Sequence, residues 1–400
     1  MFRFLTAGES HGKGLSVIID GVPAGLPLTE DYIQLDLRRR QGGYGRGRRQ
    51  KIEKDRAEIR SGVRHGKTLG SPITLLLENK DWVNWQDVMA VGEPSEESVK
   101  VTRLRPGHAD LPGVIKYAFD DVRPILERAS ARETAARVAV GAVARRFLQE
   151  FGVALHSHTI AIDGVEAKVE GEPDWDAVEG SQVRCADKDA ETRMIEAIDA
   201  ARNDGDSLGG IVEVRASNVP IGLGSHVHWD RKIDGRIAQA IMSINAVKGV
   251  EIGIGFAGAV LRGSQVHDVI LPIGKWDGRL WRRATNRLGG TEGGMTNGED
   301  LVVRVALKPI ATLPRSLPSA DLHTGEEIPA HYERSDVAVV PAAGVIGEAM
   351  RAIVLAEACL EKFGGDHIDE TLRNYRSYLK TTGPRGGAAT PPPDEETTEV

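Results

Sequence analysis

The feature that most constrains how this chain folds is the segment from Val122 to Glu150, VRPILERASARETAARVAVGAVARRFLQE. Alanine and arginine are strong helix formers, and they dominate a stretch whose apolar residues recur every three to four positions. Gly152 provides a stop, because glycine readily takes the left-handed conformation that ends many helices. The pattern therefore predicts one long, continuous helix over this segment.

The other predicted elements are strands and helices in irregular alternation. Short apolar runs bounded by Gly and Pro predict strands, whereas Thr29 followed by two acidic residues is typical of a helix start. Because no regular strand–helix–strand period exists, we expect an α+β fold rather than a doubly wound sheet. Strands are predicted within residues 2–8, 15–23, 58–79, 153–165, 209–220, 249–258 and 301–309, and further helices within 29–40, 191–204, 230–246 and 343–365.

Composition excludes several classes of protein. The 400 residues carry a net charge of −7, which argues against a surface that coats nucleic acid throughout. No apolar run approaches the roughly 20 residues that span a bilayer, and polar residues interrupt the first residues where a signal peptide would be apolar. Cys185 and Cys359 are too few for a disulfide scaffold and lack the paired spacing of a zinc site. We expect packed thiols, no metal, no membrane segment and a cytoplasmic protein.

Two histidines lie next to glycines in polar turns. His11 sits in GESHGKG at the end of an apolar run, and His108 follows a Pro-Gly turn in RPGHAD. Arg105 precedes His108 closely, and arginine binds phosphate oxygens with a fixed bidentate geometry. Imidazole titrates near neutral pH, so the two histidines form a candidate acid–base pair. Exposed loop histidines in solvated turns are the alternative interpretation.

A basic stretch surrounds the sequence GGYG. Arg38 to Arg40 continue a predicted helix, and further basic residues from Arg46 to Lys51 alternate with glycines. Such a loop suits either a polyanionic small molecule or an RNA backbone. Tyr44 alone is thin support for base stacking, and the negative net charge favours a small phosphorylated ligand.

Two further pairs of charged residues are candidates. Arg128 and Arg132 are predicted four residues apart on one face of the long helix, where a solvated charged face is the alternative. Arg334 and Asp336 are predicted on the same side of a strand. A carboxylate entering an apolar run is either a paired structural charge or a functional group.

Three patterns fail on context. The glycines at 253–258 match dinucleotide-binding spacing, but the residues after them predict a strand rather than a helix start. Residues 61–68 resemble a phosphate-binding loop whose first glycine is replaced by serine. The H-x-H pairs at 156–158 and 226–228 lack a third ligand at helix spacing, so we expect no metal there.

Eight segments together resemble the chorismate synthase family. Any one of them is weak, but eight in the family's order and spacing are specific, and they extend to about residue 380. The resemblance implies one domain over residues 1–380, with central helices flanked by antiparallel sheets, and a homotetramer. The tail, 381–400, is rich in Pro, Thr and acidic residues and is expected to be disordered. The segments are GESHGKG, RRRQGGYGRG, RPGHAD, RASARETAARVA, INAVKGVEIG, GGTEGGMTNG, LKPIATLP and RSDVAVVPAAG.

The resemblance implies a specific reaction, the last common step of the shikimate pathway to aromatic amino acids. The substrate is 5-enolpyruvylshikimate 3-phosphate, which loses the 3-phosphate and the pro-R hydrogen of carbon 6 in an anti 1,4-elimination that gives chorismate. Reduced FMN is required without net redox change, and NADPH acts only indirectly as the reductant for flavin. We expect a monofunctional enzyme that receives reduced FMN from a separate flavin reductase. The alternatives are a flavin reductase, which would oxidise NADPH without substrate, and an RNA-binding protein with salt-sensitive oligonucleotide affinity.

The resemblance also carries roles to individual residues. His11 matches the histidine thought to protonate the departing phosphate, and Ser10 is a plausible orienting group beside it. His108 matches the histidine held to interact with the anionic reduced flavin. Asp336, with Ser130, matches the pair proposed to assist proton removal.

Binding residues follow from the same motifs. The FMN positions are rich in glycine and small residues that permit close backbone approach, together with cations for the phosphate or the anionic ring. The substrate positions are arginines, two of which, Arg40 and Arg46, are also associated with NADP in the family. The FMN set is Arg128, Ala129, Ser130, Asn245, Ala246, Gly293, Lys308, Pro309, Ile310, Ala311, Thr312 and Arg334, and the substrate or NADP set is Arg40, Arg46, Arg49 and Arg105.

Overall fold

Two antiparallel sheets enclose a layer of helices. The computed structural model describes residues 2–47, 55–93, 99–272, 281–333 and 335–383. The predicted α+β class, with central helices between antiparallel sheets, is confirmed. The first sheet has the strand order Arg3–Ala7, Gly14–Asp20, Ile73–Glu78 and Ala57–Ser61, and the second has Val247–Ile252, Leu301–Leu307, Gly210–Ser217, Ala154–Ile162 and Val165–Glu166.

Both sheets turn one apolar face towards the helices. In the first sheet Leu15, Val17 and Ile19 alternate with exposed residues and are almost fully buried, as period-two strands require. In the second sheet the strand Leu301–Leu307 alternates in the same way. The described residues also form short hairpins, which pair Val63–Arg64 with Lys67–Thr68, Thr291–Glu292 with Met295–Thr296, and Pro318–Ala320 with Glu327–Pro329.

Two small-residue helices form the centre of the molecule. Thr134–Gln149 packs on the first sheet, and Val340–Phe363 packs on the second. The two helices touch closely, because a β-carbon placed on Gly141 would lie 2.3 Å from the Ala349 side chain. The other helices are Glu30–Gln41, Asp110–Tyr117, Arg123–Arg128, Trp175–Gly180, Lys188–Asp204, Ile233–Met242, Gly263–Val266 and Ile368–Leu379, with single 3₁₀ turns at Trp82–Asn84, Ala131–Glu133 and Trp229–Arg231 and a longer one at Gly255–Val260.

A buried ion network joins the central helices to helix Glu30–Gln41. Glu348 has no solvent exposure, and Arg39 donates to both of its carboxylate oxygens, at 2.7 and 2.9 Å. Arg145 and the Ser157 hydroxyl bind the same carboxylate. Burial alone would raise the pKa of Glu348, but the arginines outweigh it and hold that pKa well below its usual range. The network fixes helix Glu30–Gln41, which also carries Arg40, one of the predicted substrate residues.

The long helix predicted over Val122–Glu150 is wrong as a continuous element. It is divided into Arg123–Arg128, a 3₁₀ turn and Thr134–Gln149, because Ser130 adopts an extended backbone and caps the Arg132 N–H with its hydroxyl. Arg128 and Arg132 consequently do not share a helix face. The stop at Gly152 is confirmed by its φ of 76°.

Three other local expectations also need correction. Asp336 lies in a loop before helix Val340–Phe363, not on a strand, because the following residues begin the helix. The residues after the glycines at 253–258 form a short helix, Gly263–Val266, rather than a strand. A further helix, Ile368–Leu379, follows the one that was expected to be last.

Candidate active site

His11 is held by a buried carboxylate from a distant part of the chain. Its Nδ1 lies 2.8 Å from Glu127 Oε1, and its backbone N–H donates to Glu127 Oε2 at 2.7 Å. The Glu127 side chain is fully buried and also accepts from Arg123 Nη1 at 3.3 Å. Since the carboxylate accepts the Nδ1 proton, the ring presents Nε2 on the side away from Glu127.

An indole ring stacks on the same imidazole. The ring centroids of His11 and Trp85 are 3.7 Å apart with an interplanar angle of 25°. Trp85 donates its indole N–H to Asp81 at 3.0 Å, and the Asp81 backbone N–H donates to the Asn79 side chain. Asn79 in turn donates to the Gly12 carbonyl at 2.8 Å. The tryptophan and the histidine loop are therefore fixed to each other.

His108 forms a second dyad of the same type. Its Nδ1 lies 2.5 Å from Asp110 Oδ1. Asp110 is the first residue of helix Asp110–Tyr117, and it has no solvent exposure. Arg105 donates to both oxygens of Asp110, at 2.8 and 3.0 Å, and to the Thr312 hydroxyl at 3.3 Å. Burial alone would raise the pKa of Asp110, but hydrogen bonds from His108 and Arg105 hold it well below its usual range.

A bridge of charges connects the two dyads. Arg123, which binds Glu127, also donates to Glu333 at 3.0 Å. Glu333 lies within electrostatic range of Arg105 and accepts from His331 at 3.3 Å. Burial would raise the pKa of Glu333, but His331, Arg123 and Arg105 together lower it to about 2. The structure thus links His11 and His108, as two carboxylate-anchored imidazoles, through one chain of charged side chains.

Two of the predicted substrate arginines, Arg40 and Arg46, lie beside two further carboxylates. Arg40 is almost fully buried, donates to Thr134 Oγ1 at 2.9 Å and lies 3.6 Å from Asp55. Burial lowers the pKa of Arg40 to about 10, although Asp55 acts in the opposite direction. Arg46 binds Asp336 at 2.9 Å, and Gly47 N–H donates to the same carboxylate at 2.6 Å. These buried ion pairs disfavour Arg40 and Arg46 as contacts for an RNA backbone.

The predicted serine and aspartate have different hydrogen-bond partners. The Ser130 hydroxyl donates to Ser10 Oγ at 3.1 Å, beside His11. Asp336 instead binds Arg46 and the Gly47 N–H. The two serines therefore belong to the histidine dyad at residue 11, whereas Asp336 belongs to the arginine cluster.

Most predicted FMN positions form a continuous line. Asn245 donates to the Ala129 carbonyl at 2.9 Å, and the Lys308 N–H donates to the Ala246 carbonyl at 2.9 Å. A β-carbon placed on Gly107 would lie 3.8 Å from Lys308 Nζ, so this amine lies beside the turn that carries His108. The line thus runs from the helix break to the second dyad.

Three of the predicted residues lie apart from this line or outside the described part of the chain. Gly293 lies in the hairpin that binds Ile233, the first residue of helix Ile233–Met242. Asn245 lies just beyond the other end of that helix, which is about 15 Å long. Arg49 and Arg334 lie outside the described residues. Arg128 is exposed and donates to the carbonyls of Thr6 and Gly8.

Sequence reasoning missed Glu127, Trp85 and Arg123. Glu127 stands next to a quoted motif, but nothing in its own segment indicates a histidine partner at residue 11. Trp85 lies in a stretch that carried no prediction at all. Lys248, inside INAVKGVEIG, was also passed over, although it interacts electrostatically with Lys308.

The described residues contain neither a metal-binding cluster nor a membrane-spanning helix. Among the described residues, no three His, Cys, Asp or Glu side chains are arranged to hold a metal ion. In the same ranges, every helix is too short or too polar to cross a membrane.

Comparison with known proteins gives a consistent result. The family model for chorismate synthase matches residues 2–360. Proteins named chorismate synthase from Symbiobacterium thermophilum and Moorella thermoacetica are 56% and 57% identical over 388 and 387 residues. These matches cover 94% and 95% of this chain and 98% and 100% of the relatives. A solved structure described as "Crystal Structure of Chorismate Synthase" is 47% identical, with a TM-score of 0.76 over 95% of this chain and 98% of that one.

Proposed function

The chain belongs to the chorismate synthase family, and from that premise we propose that it converts 5-enolpyruvylshikimate 3-phosphate into chorismate and phosphate with reduced FMN. The observation that carries the proposal is the pair of carboxylate-anchored histidines joined by one bridge of charges. Such a site supplies protons and fixed positive charge next to a leaving phosphate.

The reaction balances without an external oxidant. The electron pair of the bond between carbon 6 and hydrogen forms a new ring double bond, and the existing ring double bond shifts. The bond between carbon 3 and oxygen breaks, and its pair leaves with the phosphate. His11 donates the Nε2 proton of its imidazolium form to the phosphate, and the ring is left neutral as the Nδ1–H tautomer, whose remaining proton is bound by Glu127. Asp336, held by Arg46 and Gly47, assists removal of the ring proton.

The residues around Lys308 fit reduced FMN. Burial, and then the charge of Lys248, lowers the pKa of Lys308. Lys308 Nζ donates to the Pro309 carbonyl at 3.3 Å, and in the described residues neither lysine is paired with a carboxylate, so both charges are available to a phosphate or an anionic ring. Ala246, whose carbonyl accepts the Lys308 backbone N–H, has a φ of 69°. When bound, the flavin supplies transient electron donation to the substrate.

Anaerobic turnover with dithionite-reduced FMN tests this proposal. Chorismate absorbance and released phosphate should rise together in equal amounts, and oxidised FMN should support neither. NADPH should be consumed no faster with FMN than in a protein-free control, because we propose no intrinsic flavin reductase. A protein that oxidises NADPH but releases no phosphate would be a reductase instead.

Assembly and location complete the proposal. We propose a cytoplasmic homotetramer that receives reduced FMN from a separate flavin reductase. Exposed apolar side chains support self-association. They include Leu5 and Ile18, which are cross-strand neighbours on the first sheet, and Phe256 and Val260. Sedimentation of the protein across a hundredfold concentration range tests the tetramer, and a single monomer boundary would contradict it.

A further inference from the structure

We propose that Glu127 and Trp85 are positioning residues that fix the tautomer and the ring plane of His11. This inference rests on the proposed function, in which His11 donates a proton from Nε2. Neither residue reacts with substrate; each acts through the imidazole that it touches.

Glu127 selects the tautomer because both of its oxygens already accept protons. Oε2 accepts the His11 backbone N–H at 2.7 Å, which is a bond that cannot reverse direction. Oε1 accepts from Nδ1 at 2.8 Å and from Arg123 at 3.3 Å. Nδ1 must therefore carry a proton, and Nε2 is presented away from the carboxylate.

The geometry makes Glu127→Gln a sharp test. The backbone N–H of His11 needs an oxygen at the Oε2 position, so the glutamine amide oxygen has to face it. The amide NH₂ then takes the nearer position, 2.8 Å from Nδ1, and favours an Nδ1 that accepts over one that donates to the amide oxygen 3.1 Å away. A neutral His11 ring consequently moves its proton to Nε2, and the anchored tautomer is lost.

Trp85 fixes the plane of the ring. Its indole lies 3.7 Å from the imidazole, and the hydrogen bond to Asp81 prevents rotation of the indole. His11 is only 9% exposed beneath it. A proton donor held in one plane keeps its nitrogen aimed at one point, which is the condition for efficient proton transfer.

The second sheet supplies matched controls for both contacts. His156 stacks on Trp175 with centroids 4.7 Å apart, and His158 lies 3.4 Å from the buried Glu213. These pairs have the same chemistry, but they contact none of the site residues described above. Trp175→Ala and Glu213→Gln therefore measure the effect of losing such a contact on folding alone.

The first measurement is the ¹⁵N solid-state spectrum of histidine-labelled protein without ligands, at about pH 8.5, where ordinary imidazoles are neutral. The His11 signals are identified by their loss in His11→Asn. We expect the Nδ1–H tautomer in the wild type, the Nε2–H tautomer in Glu127→Gln, and a mixture in Trp85→Ala. An unchanged spectrum in both variants would overturn the proposal.

The second measurement is turnover. Glu127→Gln should lower kcat about 100-fold and Trp85→Ala about 10-fold, with KM changed less than about threefold, because only proton transfer is affected. Trp85→Phe should restore most of the rate, and both control variants should stay within about twofold of the wild type. Equal losses in the controls would assign the effect to folding and reject positioning.

The two proposals fail in different ways. Absence of phosphate release from the wild type contradicts the proposed function, while the tautomer of His11 still decides the roles of Glu127 and Trp85. Normal turnover in Glu127→Gln, in an active wild-type background, rejects positioning and leaves the proposed function intact.

Discussion

The two dyads of the site use the same chemistry but are built in different ways. His108 binds Asp110, which is two residues along the chain and begins the next helix. His11 binds Glu127, which is 116 residues away on another element. The dyad of His108 is thus a local motif, whereas the dyad of His11 exists only after the first sheet has packed against the broken central helix.

The two dyads are sensitive to different kinds of structural change. The His108 dyad depends on one turn and on Arg105 from the same segment. The His11 dyad depends on the break at Ser130, which ends helix Arg123–Arg128 and leaves Glu127 beside the histidine loop. Changes in packing should therefore reach His11 first, and changes in local backbone should reach His108 first.

The largest expected effect comes from removing each imidazole. His11→Ala and His108→Ala should each lower kcat about 10²- to 10⁴-fold, because positioned proton donors and fixed charges contribute on that scale. Only His108→Ala should also lower the affinity for reduced FMN, since the turn that carries His108 lies beside Lys308. Anaerobic FMN titration together with single-turnover kinetics separates the two.

His156→Ala is the control for these substitutions, because His156 lies on the second sheet and stacks on Trp175. It should leave both kcat and FMN affinity unchanged. If His11→Ala lowered the affinity for reduced FMN as much as His108→Ala did, the division of roles between the dyads would be wrong.

The sequence could identify the local dyad but not the distant one. RPGHAD contains the histidine, its carboxylate and its arginine within six residues, so the elements of this dyad lay in one motif. Glu127 could not be matched to His11, because the pairing depends on the order of strands in the first sheet and on the helix break. The fold class was predictable from the alternation of elements, but the break was not, since Ser130 is a single polar residue in a strongly helical composition.

A smaller effect is expected on stability when each carboxylate loses its charge. Asp110→Asn leaves the buried Arg105 unpaired and should lower the free energy of unfolding by about 3–5 kcal/mol. Glu127→Gln should cost about 1–3 kcal/mol, because Arg123 keeps Glu333 as a partner. Urea unfolding of both variants measures the difference, and Asp120→Asn, at an exposed carboxylate, should not change the midpoint. Equal losses at the two dyads would remove the distinction between them.

The glycines beside the dyads should differ in the opposite sense, with the larger loss of stability at the loop of His11. A β-carbon on Gly8, where φ is 109°, would lie 2.3 Å from the Gly14 carbonyl oxygen, so Gly8→Ala forces the backbone apart. On Gly107, where φ is 75°, the nearest atom would be 3.8 Å away. We expect a loss of about 3 kcal/mol or more for Gly8→Ala and about 1 kcal/mol for Gly107→Ala. Thermal unfolding ranks them, and the reverse order would show that the His11 loop is the more adaptable one.

The smallest expected effect concerns Glu333, which joins the dyads. Burial raises its pKa, but His331, Arg123 and Arg105 lower it to about 2. A depressed carboxyl pKa stabilises the fold above the unfolded value, near 4.3, and this contribution is lost as the pH falls from there towards 2.

Glu333→Gln should therefore be less stable than the wild type at pH 7 by about 1–2 kcal/mol, after allowance for partial exposure. The difference should shrink as the pH falls below about 4.3, because the unfolded wild type then binds a proton that folded Glu333, with its pKa of about 2, does not. Urea unfolding at pH 7, 5 and 3.5 measures it, with Glu327→Gln at an exposed position as the control. A difference that stayed constant with pH would mean that Glu333 supports the fold through packing, and that the dyads are coupled by contact rather than by charge.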